Sequence, residues 1–116
     1  MGDPLERGLA AYAAGDFFAA HEHFEQLWLR ASAPRLRFAR QGLVLVAVAM
    51  HKLFAQNKPA VAARLLGRAI DRLERGEEVV DGVDALGLIA SLRSAIVALE
   101  RGEAISAPTI ARSDSR

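Results

Sequence analysis

Residues 43–50 read Leu43-Val44-Leu45-Val46-Ala47-Val48-Ala49-Met50, an unbroken apolar run closed by Arg40 on one side and His51 on the other. A membrane span needs about 20 such residues, so this run is too short to cross a bilayer. It sits inside a longer stretch, 35–56, that contains no proline and reads as one helix. A helix that is apolar on every face is surrounded by other helices. The third helix is therefore expected to be the central rod, with its sequence neighbours folded back on it antiparallel through short turns. Gly42 within it costs up to about 1 kcal/mol relative to alanine. The expected compensation is close approach of a neighbour, the second helix.

Downstream, Asn57 and Pro59 signal the start of a fourth helix over 58–75. Val61, Leu65, Leu66, Ala69, Ile70 and Leu73 form its core stripe, and Arg64, Arg68, Arg72 and Arg75 its opposite face. An arginine ladder can hold phosphates. Asp71 and Glu74 interrupt this one, and a solvated face is the simpler reading. Gly76 closes the helix, and 77–82 read as an acidic linker. The fifth helix, 83–101, carries Leu86, Ile89, Leu92, Ile96 and Leu99, widened by Leu88 and Val97. That extra apolar surface would suit a homodimer.

Upstream, Asp3 before Pro4 caps a first helix over 4–14, with Leu5, Leu9 and Tyr12 on one face and Gly15 as its stop. Asp16 caps a second helix, 17–30, and Ser32 with Pro34 supplies the cap and first turn of the third. Gly8, Tyr12 and Ala20 give the first two helices the look of one tetratricopeptide-like hairpin, but the pattern does not recur at a fixed period. The expected fold is all-α: a five-helix bundle around the third helix. One domain covers residues 1–102. A C-terminal tail, 103–116, is expected to be partly disordered, with Ile105 and Ile110 able to dock.

Composition narrows the function classes. The chain has 116 residues, of which 52% are hydrophobic and 25% charged, which excludes intrinsic disorder. With 15 Lys+Arg against 14 Asp+Glu, no global field recruits nucleic acid or acidic lipid. The absence of cysteine removes disulfides, thiolate metal sites and cysteine nucleophiles. No apolar leader precedes Arg7, and a cytoplasmic protein with neither nucleic-acid nor membrane partner is expected.

One polar cluster stands out. The second helix reads Phe17-Phe18-Ala19-Ala20-His21-Glu22-His23-Phe24-Glu25-Gln26-Leu27-Trp28-Leu29-Arg30. At roughly 100° per residue, His21 and Glu25 fall within a broad apolar arc, Glu22 at its edge, and His23, Gln26 and Arg30 toward solvent. A buried carboxylate without a partner costs several kcal/mol, so Glu25 must be protonated, paired or bound to a cation. Folding the helix back on the third places Arg40 and Gln41 opposite Glu25, and sets His51 nearer Ala14 than His21. Two explanations stay open. In one, His21, Glu25, Trp28, Arg40 and Gln41 form a structural polar network in an interaction module. In the other, His21, Glu22 and Glu25 hold a divalent metal, with Gln41 or His51 assisting, and a metal-held water attacks a substrate. No phosphate loop, nucleophile elbow or Ser/His/Asp set is visible, so the catalytic residues of any enzyme here are unknown.

The stretch from Gly15 to Trp28 resembles the signature Gly-x-[Phe/Tyr]-x-x-Ala-His-Glu-x-x-Glu-x-x-Trp of the prokaryotic family called domain of unknown function 309. Gln41-Gly42-Leu43, with the apolar run ending in His51, resembles its second motif. The likeness covers about Leu5 to Leu73. It implies a small all-α bundle and carries the label of metal-dependent hydrolase, given by motif. His21, Glu22, Glu25, Trp28, Gln41, Gly42 and His51 match motif positions. The family's Asn before the hairpin turn is replaced by Ala13.

Overall fold

A computed structural model describes residues 2–112 and contains five helices, with a short β-ribbon between the last two. α1 spans Pro4–Ala13, α2 Phe17–Leu29, α3 Pro34–Phe54, α4 Pro59–Arg75 and α5 Ala85–Glu100. The all-α class expected from the sequence is what forms. Each helix packs chiefly on its sequence neighbours, with α3 lying against both α2 and α4.

Local chemistry sets most of the helix ends. The Asp3 carboxylate accepts from the Glu6 amide at 2.8 Å and the Asp16 carboxylate from the Ala19 amide at 3.2 Å, so both expected caps form. Ser32 and Asn57 do not cap. The residues preceding α3 and α4 are Ala33 and Lys58, neither with a side-chain cap bond. In both helices a proline at the first position starts the turn instead. Asn57 takes a left-handed conformation (φ 53°), and its amide donates back to the Leu53 carbonyl at the end of α3.

Leu43, Val46, Ala47, Ala49 and Met50 of α3 are fully buried, and of the quoted run only Val48 is half-exposed. The neighbour that fills the space above Gly42 is α4, not α2. A β-carbon there would come within 2.6 Å of the Leu73 side chain and 3.4 Å of the Ala69 carbonyl oxygen. Gly76 ends α4 in extended backbone, not a left-handed cap, and its contact with Ala39 is so close that a β-carbon would meet the Ala39 amide nitrogen at 2.9 Å. On α5, Ile89, Leu92 and Leu99 are core as expected. Leu88 is core as well, whereas Leu86 and Val97 face outward.

The segment read as a linker is a hairpin. Val79–Val80 pairs antiparallel with Val83–Asp84 through a two-residue turn in which Asp81 (φ 54°) and Gly82 (φ 81°) both have positive φ. That is the type I′ requirement which Asp-Gly meets. Asp84 then caps α5 through the Gly87 amide at 3.0 Å, so the helix begins two residues later than expected.

The chain after α5 runs back over the body. Pro108 is buried, Ile105, Ala107 and Ile110 pack on the core, and the Tyr12 hydroxyl donates to the Pro108 carbonyl at 2.6 Å. Arg112 bridges to Val83. Residues 103–112 are thus laid on the helices instead of standing apart. The expectation of disorder, where it concerns 113–116, lies outside the described residues.

Candidate functional site

α2 is the element that decides the site. Its buried face is made by Ala20, Phe24 and Leu27, and Phe24 fills the space left by Gly8 of α1, where a β-carbon would lie 2.5 Å from the ring. This orientation is turned from the expected one, and three placements change with it. Glu25, expected inside, is exposed, as is Glu22. His23, expected in solvent, is half-buried, with its Nδ1 enclosed and without a hydrogen-bond partner among the described residues. His21 is half-buried rather than central.

The expected network around Glu25 therefore does not form. Arg40 is held elsewhere: its Nε and one terminal nitrogen donate to the two Asp81 carboxylate oxygens at 3.0 Å each, and the other terminal nitrogen donates to the Leu27 carbonyl at 2.8 Å. Gln41 accepts from Arg72 Nε of α4 at 2.9 Å. Trp28 is half-buried beneath the Arg37 guanidinium, 5.7 Å from the ring centroid. Distance from the α2–α3 turn does not identify Asp81 as the Arg40 partner. The usable signal was Val-Val-Asp-Gly-Val, which specifies the hairpin that carries it.

His21 and His51, set apart by distance from the α2–α3 turn, both lie beside Phe18. Both line a groove of about 200 Å³ between α2 and α3, together with Phe18, Val48, Lys52 and Gln56. The Phe18 ring sits 4.9 Å from the His21 ring and 5.5 Å from the His51 ring, centroid to centroid. His21 Nδ1 is 2.6 Å from the Phe18 carbonyl. A carbonyl only accepts, so Nδ1 carries the proton and Nε2 is the nitrogen left for another partner. Nearby, Phe17 stacks on Phe54 at 5.7 Å and so joins the start of α2 to the end of α3.

A divalent metal, implied by the hydrolase label, needs three or more converging donors. Among the described residues no three His, Asp or Glu side chains converge in this way. Glu22 and Glu25 stand in solvent, and the His21–His51 groove adds no carboxylate. The donor set of one chain does not fit the ion.

Further ion pairs involve α4. Asp71 bonds Arg75 and Arg72, and these bonds, the Arg75 one foremost, hold its carboxyl below the usual aspartate range. Glu74 of α4 pairs with Arg93 of α5.

The sequence profile of a family described as a domain of unknown function (DUF309) matches residues 5–65, just over half of the chain. The matched region holds α1 to α3 and the first part of α4, and so includes the whole of the α2 motif and the His51 position. Neither a comparison with curated proteins nor one with solved structures gives a match.

Proposed function

The chain belongs to the DUF309 family, and on that premise we propose that it is a helical interaction module whose His21-Glu22-x-x-Glu25 segment is a presented surface, not an enclosed reaction centre. One observation carries this: both carboxylates of the motif are exposed and neither reaches a side-chain partner among the described residues. Catalytic carboxylates work where burial or a neighbour tunes them. A wetted pair on the outside of a helix is suited to meeting another molecule.

Metal titration by calorimetry, on protein purified without a histidine tag, tests the choice between module and hydrolase. The interaction reading expects no stoichiometric zinc or manganese binding that depends on Glu25. A metal bound one to one by the wild-type chain and lost in Glu25→Gln would overturn it.

His21 and His51 support a narrower second reading. Two imidazoles on one groove, one with Nε2 unclaimed among the described residues, could hold an ion jointly with a donor from a partner. Binding lost in His21→Ala and His51→Ala but kept in Glu25→Gln would select it.

A further inference from the structure

We propose that the outer stripe of α2 docks a second copy of this chain, which meets it with the outer face of α4. This rests on α2 being a presented surface and names the partner.

Phe18, Glu22, Glu25 and Leu29 follow one another at steps of four, three and four residues, which keeps them within an arc of about 60° around the helix. All four are exposed, Phe18 at 52% and Leu29 at 64%. The stripe is therefore two carboxylates bracketed by two large apolar side chains. α4 offers the complement. Arg64 and Arg68 are exposed one turn apart on a shallow groove of about 620 Å³ lined also by Val61, Leu65 and Gly67, and by Asp71, whose charge Arg72 and Arg75 already pair. At Gly67 a β-carbon would find nothing within 4 Å, so no side chain fills the groove there.

Among the described residues, none of Glu22, Glu25, Arg64 or Arg68 has an ion-pair partner. Each helix thus carries like charges on adjacent turns, which is unfavourable within that helix. Laying the α2 stripe of one copy on the α4 face of another opposes unlike charges and covers Phe18 against Val61 and Leu65, with an arginine beside the ring. The two helices both pack along α3 and make no extended contact with one another. Where the pairing is reciprocal, α2 of each copy lying over α4 of the other, the contact is made twice and the assembly closes as a dimer.

Charge-swapped variants test this by light scattering and sedimentation. The wild-type chain is expected to dimerise at concentrations up to about 100 μM. E22R/E25R and R64E/R68E each oppose like charges in both contacts, and each should weaken self-association by about a hundredfold or more. Mixed one to one, the two variants are complementary in both contacts and should recover the dimer. All four side chains are exposed, so the variants keep the fold, which circular dichroism checks. A wild-type chain that stays monomeric, a dimer indifferent to both variants, or a mixture that fails to re-associate would overturn the proposal. A monomer showing no Glu25-dependent metal removes this proposal alone, whereas Glu25-dependent metal removes the interaction reading whatever the mass.

Discussion

One guanidinium, that of Arg40, joins three parts of the chain: its own helix α3, the Leu27 carbonyl in the last turn of α2, and the Asp81 turn of the β-ribbon. The Arg40 and Asp81 side chains are only 14% and 21% exposed, so the bidentate pair is shielded more than a surface ion pair. Arg40→Ala leaves a carboxylate and a main-chain carbonyl without their donor. It should lower the unfolding free energy by about 2 kcal/mol, toward the low end for shielded charge-assisted bonds. Urea denaturation reads this directly, and a loss below about 0.5 kcal/mol would show the pair to be dispensable. Arg40 was legible in the sequence as an inward polar residue of α3, but its partner was not. Pairing by distance from the α2–α3 turn considers only the two helices that flank that turn, and Asp81 arrives from a hairpin 41 residues away.

At the scale of the element, α2 and α4 show what periodicity can decide. The α4 stripe has one apolar face and one arginine face; Leu66, Ala69, Ile70 and Leu73 are buried as their spacing requires, whereas Val61 and Leu65, expected in the core, are only half-buried. α2 has apolar side chains over more than half its circumference, so spacing leaves its rotation open. Packing chose the arc of Ala20, Phe24 and Leu27, because Gly8 of α1 admits the Phe24 ring there. Phe18 and Leu29 were left outside, and the His-Glu-x-x-Glu residues turned with them. Which helix approaches Gly42 was equally out of reach, since a glycine marks a close contact without naming its partner. Two glycines make the contact measurable. Gly67→Ala places a methyl in open space on an exposed helix face and should stabilise by about 0.5–1 kcal/mol. Gly42→Ala drives a methyl into Leu73 and should destabilise by about 1–3 kcal/mol despite the same gain in helix propensity. Thermal unfolding of the pair should show opposite signs, and equal signs would contradict the α3–α4 contact.

At the scale of the molecule, residues 103–112 close the fold, and Tyr12 is their anchor. Tyr12 is 6% exposed, and burial pushes its phenol well above the ordinary tyrosine value. The raised value has a definite sign: the folded chain holds the proton that the unfolded chain releases, so stability is lost as pH rises past about 10. Tyr12→Phe removes both that alkaline loss and the bond to Pro108. The variant should be less stable than wild type near neutrality by about 1 kcal/mol, and its stability should fall less steeply above pH about 10. A pH series of urea midpoints checks it, and identical alkaline slopes would show the phenol exposed.

The same whole-molecule packing fixes what α2 shows to solvent, and this is the claim on which the functional reading stands. Its most direct measurement is the unfolding free energy of Glu25→Ala, because a carboxylate in solvent and one enclosed in a polar network differ most when removed. An exposed Glu25 requires a change within about 0.5 kcal/mol of zero, whereas a loss of about 2 kcal/mol or more would mean that the carboxylate is enclosed and that α2 is rotated from the position described.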